Sequence, residues 1–277
     1  MLSRSAYRLG LVVLLSCITV FSACKKDDDN DTTTENTGYA EDLVLIQQSF
    51  DDLDEIVMRA QYGGTGSLKG GENPLAACAT IIHDTATTPK RILIDFGNTG
   101  CISYDGRVRT GKLNVFYEGD YRTANYYHRV EPQFYTVDGN RVSGIRKITA
   151  VGRNMQNQLY YTEEVKGEVV LKNGGGTLKA DSKRTLTMVA GEQTLDVTDN
   201  VYSVDGFGEM TRANGEVFTT EVVKPLNVSF SCNYINKGVI RVIPAGFTHR
   251  FVDYGDGACD NKATVTVNNV GRVVTLP

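Results

Sequence analysis

The chain has 277 residues, with 29 Lys and Arg against 33 Asp and Glu, 28 Gly, 14 Tyr, 6 Cys, 3 His and no Trp. The acidic excess argues against a nucleic-acid binder, whose phosphate contacts need a basic stripe. A content of 41% hydrophobic and 22% charged residues is a globular balance, neither disordered nor collagen-like, and suffices for one large domain or two small ones.

Residues 1–23 read as an export signal. Arg4 and Arg8 form a positive start, Leu9 to Phe21 is an apolar stretch, and small Ser22 and Ala23 precede Cys24. The apolar run falls short of the roughly 20 residues that span a bilayer. Cys24 after two small residues resembles a bacterial lipobox, in which the thiol takes a diacylglycerol, although Phe21 stands where Leu is preferred. Leu14-Leu15-Ser16-Cys17 fits the letters slightly better, but cutting there would leave Ile18, Val20 and Phe21 at the start of the mature chain. The plainer alternative is a secretory signal with an incidental Cys24. Residues 24–38, which include Asp27-Asp28-Asp29, are polar and aperiodic, and the expectation is a flexible acidic tether. The acidic run also resembles the signal that sends Bacteroidota-type lipoproteins to the outer face of the outer membrane. Membrane attachment would then rest on acyl chains, each buried CH₂ contributing about 0.8 kcal/mol.

Residues 39–62 carry the one helical pattern. Leu43, Ile46, Phe50, Leu53, Ile56 and Ala60 recur at steps of three and four, while Asp42, Gln47, Asp51, Asp54 and Glu55 fall mostly on the other face. Gly63 and Gly64 end the pattern, and residues 63–77 read as a Gly-rich linker that lacks the spacing of a phosphate loop. Residues 78–277 read as strands. The pairs Asp105-Gly106, Asp138-Gly139, Asn173-Gly174, Asp205-Gly206 and Asn214-Gly215 are expected hairpin turns. Val142 to Val151, Leu159 to Leu171, Lys183 to Val189 and Val217 to Val223 are strand-like runs between them. The expected fold is mainly β: a long antiparallel meander, either a sandwich or an open, curved, barrel-like sheet, with the amphipathic helix covering one face.

With Cys17 in the leader and Cys24 lipidated, Cys78, Cys101, Cys232 and Cys259 remain, an even number that suits disulfides in an oxidising compartment. Ile94-Asp95-Phe96-Gly97-Asn98 precedes Cys101, and Val252-Asp253-Tyr254-Gly255-Asp256 precedes Cys259 at the same spacing. Each copy has an earlier cysteine and flanking strand-like runs, which defines an internal repeat at 78–117 and 232–276. Local closure pairs Cys78 with Cys101 and Cys232 with Cys259; crossed pairing between the copies is the alternative.

These two motifs, with Asp105-Gly106-Arg107 after the first and Cys259 to Val267 in the second, resemble a family of Bacteroidota-type surface lipoproteins whose members are described only as hypothetical. The resemblance runs over nearly all of the chain from about Cys78. Asn98 stands where relatives often have Asp, and Asn268-Asn269-Val270-Gly271 replaces a plain Asn-Gly hairpin. The resemblance implies an outer-membrane, surface-exposed location and brings no activity, cofactor or catalytic residue.

The remaining chemistry is sparse. His83, His128 and His249 have no second ligand at metal spacing, and no Gly-x-Ser-x-Gly elbow marks a hydrolase. Asp253, Asp256 and Asp260 are weak calcium candidates, set against ordinary turn chemistry for the same residues. Tyr117, Tyr121, Tyr126, Tyr127, Tyr135, Tyr160 and Tyr161 suit core and cross-strand packing better than sugar stacking. Three functions follow in order. The first is a non-enzymatic binding or structural module with an unknown surface partner. The second is a carrier holding a lipid-like ligand between sheet and helix. The third is a glycan-acting enzyme, for which no two acids can be placed together.

Overall fold

Alternation of apolar and polar residues along most of the chain demands one buried and one wet face, and the chain meets that demand with a single large sheet around a single helix. A computed structural model describes residues 32–62, 73–194 and 196–276. The expected leader, Cys24, the first part of the tether and most of the Gly-rich linker lie outside them.

Helix α1 spans Thr32–Tyr62. It begins at Thr32 rather than Tyr39, so part of the expected tether is helical. The strands are β1 (Thr80–Asp84), β2 (Lys90–Asp95), β3 (Cys101–Ile102), β4 (Val108–Glu118), β5 (Tyr127–Val137), β6 (Asn140–Arg153) and β7 (Leu159–Val170). They continue as β8 (Thr177–Ala190), β9 (Val201–Thr211), β10 (Val217–Ser229), β11 (Lys237–Pro244), β12 (Arg250–Asp256), β13 (Lys262–Val267) and β14 (Val270–Thr275). Their order in the sheet is their order in the chain, with the short β3 paired to β4 off the main path. All neighbours are antiparallel. The two ends, β1 and β14, do not pair, so the meander is an open curved sheet and neither a sandwich nor a closed barrel.

Four of the five expected turn pairs lie at turns. Asp138 and Gly139 both take positive φ, as do Asn173 and Gly174. Asn268 and Asn269 do the same (φ 50° and 64°), so two asparagines serve where a plain Asn-Gly would. Asp205-Gly206 is the exception: it lies inside β9, where Gly206 faces inward between β8 and β10.

The sheet wraps the helix instead of lying beneath it. Leu43, Ile46, Phe50, Leu53, Ile56, Val57 and Met58 are buried, and so are Gln47, Ser49, Asp52 and Asp54. Of the acids expected on a solvent face Asp54 is buried, while Asp42, Asp51 and Glu55 are half-buried. A narrow stripe of Glu41, Leu45, Gln48, Asp51, Glu55, Arg59 and Tyr62, at steps of three and four, stays accessible or partly so, joined at its ends by Asp42 and Gln61. From the sheet come Ile92, Leu113, Val115, Val130, Ile148, Val169, Leu186, Val204, Phe218, Val242 and Val252, one inward row after another. Each buried aliphatic or aromatic side chain contributes about 1.5–3 kcal/mol.

Close approach of sheet and helix needs small residues at one place. Gly144 of β6 and Gly167 of β7 lie directly opposite each other. A Cβ on Gly144 would come within 2.3 Å of the Gly167 Cα, and one on Gly167 within 2.7 Å of the Phe50 ring. The Phe50 side chain takes the space that a side chain at Gly167 would fill, and Gly144 lets β6 lie against β7 there.

Candidate functional site

The repeat is visible as paired geometry. In the first copy the Asp95 carboxylate accepts from the Gly97 amide at 2.9 Å; in the second the Asp253 carboxylate accepts from the Gly255 amide at 2.9 Å. Gly97 and Gly255 both have positive φ, and the aromatic residues between, Phe96 and Tyr254, are buried. Asp fastens the turn, the aromatic anchors it, and Gly permits it. Cys78 is joined to Cys101 and Cys232 to Cys259, with Cα separations of 5.7 and 5.8 Å, so both bridges are local.

Asp253 is thus occupied with its own turn, and Asp260 accepts from the Lys262 amide at 3.0 Å. Asp256 is exposed at the end of β12. Among the described residues no group of three or more His, Cys, Asp or Glu side chains is arranged to hold a metal ion. His83 and His249 are exposed, the first on β1 and the second just before β12. Tyr117, Tyr121, Tyr126, Tyr135 and Tyr161 are buried, while Tyr127 and Tyr160 are half-buried. Tyr121 stacks on Tyr161 with ring centres 5.1 Å apart and meets Tyr126 edge-on at 5.4 Å. The Tyr121 hydroxyl is hydrogen-bonded to that of Tyr202. These rings close the end of the sheet around the C-terminal turn of α1, where the Tyr126 hydroxyl donates to Gln61 at 3.0 Å.

A charged network that the sequence pattern does not reveal runs along the middle of α1. Arg109, on the inner face of β4, donates to both Asp105 oxygens at 2.7 Å and pairs with Asp52. The Tyr135 hydroxyl donates to Asp52 at 2.9 Å. Two residues on, Asp54 lies 3.0 Å from the His128 ring, whose other nitrogen is 3.0 Å from the Tyr126 hydroxyl. Arg146 bridges Glu163 at 2.6 Å and the Phe50 carbonyl at 2.6 Å, and Arg184 pairs with Glu163 and Asp51. Burial pushes the Asp54 and Glu163 carboxyls up, but the Arg146 guanidinium, with His128 at Asp54 and Arg184 at Glu163, holds both below the usual carboxylate range. The strand arginines point inward because helix acids await them. Single-sequence periodicity records neither half of such a pair.

Nearer the surface, the two repeats meet over the helix. Asp105 and Arg107 of the first copy and Tyr254 and Leu276 of the second line a cleft with Gln48, Asp51 and Glu55 of α1 and Tyr234 of the β10–β11 loop. The cleft holds about 70 Å³, room for a few waters. Arg107 lies on its wall, 3.4 Å from Asp52, and pairs with Asp138 at 2.9 Å outside it. A second gap between α1 and the sheet, beside Ile46 and Phe50, holds about 20 Å³. No family model, curated protein or solved structure matches the chain.

Proposed function

We propose that the chain is a lipoprotein anchored to the outer membrane through Cys24 and exposed at the cell surface, and that its folded part is a non-enzymatic binding or structural module. The leader ending in Ser22-Ala23 before Cys24 supports the anchor, and two disulfides suit a compartment outside the cytoplasm. The observation that carries the module reading is the filled interior. A carrier would need some 300–1,000 Å³ for its ligand, whereas the gaps beside α1 hold about 70 and 20 Å³. Helix side chains and their paired strand partners occupy the space that a lipid would need. The acids inside are tied to arginines, which speaks against the enzyme reading for these residues.

Cell fractionation with intact-mass analysis of the wild type and the Cys24→Ser variant tests the anchor. The wild type is expected in the membrane fraction with an acylated mass, and the variant in the soluble fraction. A wild type without acyl mass, or a variant that stays membrane-bound, would contradict the reading.

A further inference from the structure

We propose that the outer face of the sheet around Phe207 is a binding site for a neutral oligosaccharide. This rests on, and deepens, the binding-module reading.

The site begins on the inside. Inward positions of β6 to β9 are held by Gly144, Gly167, Ser182, Gly206 and Gly208, so the strands pack closely on one another here and Gly167 lies against the Phe50 ring. Outside, the same region is hollow. One depression of about 730 Å³ surrounds Phe207, and another of about 460 Å³ adjoins it, the two sharing Asp181 and Glu209. Both lie open on the face of the sheet, where an extended ligand could lie along the strands.

Phe207 is 63% exposed in the middle of a many-stranded sheet, where its ring gains no burial. Lys183 of β8 and Glu221 of β10 lie directly opposite it on either side, and neighbouring strands about 4.8 Å apart put these two heads roughly 10 Å from each other across the ring. One step along, Asp181, Glu209 and Thr219 form the next row. An aromatic face flanked by carboxylates that accept and an ammonium that donates fits a sugar, whose C–H face stacks while its hydroxyls both give and take hydrogen bonds. The charges beside the ring are paired, Glu221 with Arg241 and Asp181 with Lys166, so the face presents no excess of one sign to draw a charged ligand. An extended peptide would gain little, because β8, β9 and β10 are hydrogen-bonded on both sides and offer no free edge.

The test is calorimetric titration of the full-length protein, in a detergent without a sugar headgroup, with maltohexaose, cellohexaose and xylohexaose. At least one is expected to saturate. Phe207→Ala should weaken it by about tenfold or more, Phe207→Tyr should retain it, and Phe247→Ala, which removes an exposed ring elsewhere, should leave it unchanged. Equal melting temperatures of the variants would show that the fold is intact. Saturation by none of the three, binding indifferent to Phe207→Ala, or preference for a peptide or a charged glycan at this face would overturn the proposal. The intact mass of the same preparation reports acylation of Cys24 independently, so a failed titration and a failed anchor are told apart.

Discussion

Asp54 of the helix and His128 of β5 face each other in the core, Oδ1 to Nε2 at 3.0 Å, with both side chains almost wholly buried. The contact ties the middle of α1 to β5, alongside the arginines that hold Asp51 and Asp52. Removing one member of such a buried pair strands the other. Asp54→Ala and His128→Ala are each expected to cost about 3 kcal/mol, and the double variant less than the sum of the two. Urea unfolding of the three variants measures this; strict additivity would show that the contact is incidental.

Acid should unfold the protein. Asp54, Asp105 and Glu163 are all held below their ordinary values; burial opposes this, but Arg146, Arg109 and Arg146 with Arg184, respectively, outweigh it. The unfolded chain titrates these groups near pH 4. A depressed folded value means that their stabilisation is fully present above about pH 4 and is lost as pH falls through the folded values. Glu55, raised by burial, contributes in the opposite sense. The urea midpoint is expected to fall steeply below about pH 4, and Glu163→Gln should lower it at neutral pH while flattening that acid limb.

Each disulfide closes a loop with a sequence separation of 23 or 27 residues. Loop-closure entropy then gives about 3–3.5 kcal/mol per bridge. Cys78→Ser with Cys101→Ser, and Cys232→Ser with Cys259→Ser, should each lower stability by about that amount. Non-reducing peptide mapping of the wild type should recover the two local pairs and no cross-linked copy.

Glycines should differ by what surrounds them. Gly215 sits at a turn with φ +88° and open space around it, so Gly215→Ala is expected to cost about 1 kcal/mol in backbone strain. Gly144 has φ +117° and a neighbouring Cα at 2.3 Å from any Cβ, so Gly144→Ala should cost several times more. Thermal melts of the two variants compare them directly.

What the sequence discloses here is local. Asp95 and Asp253 fasten turns within two residues of themselves, so the repeat, its cysteines and the hairpins Asp138-Gly139 and Asn173-Gly174 are legible as patterns. Gly206 misleads for the same reason: beside Asp205 it looks like a turn, but it lies within β9 with φ +144°, where a Cβ would come within 2.4 Å of the Lys183 carbonyl of β8, a requirement set by residues some twenty positions away. The helix acids are the clearest case. Asp51 and Asp54 resemble a solvated face until β5, β6 and β8 bring His128, Arg146 and Arg184 against them, and their neighbour Asp52 meets Arg109 of β4. Curvature of the sheet decides both, and curvature is not written in any one window of residues.

The central claim is that the helix fills the sheet and leaves no room for a carried ligand. Native mass spectrometry of the Cys24→Ser variant, purified without detergent, tests it most directly. The account predicts the mass of the bare polypeptide. A co-purifying mass of lipid size would contradict it.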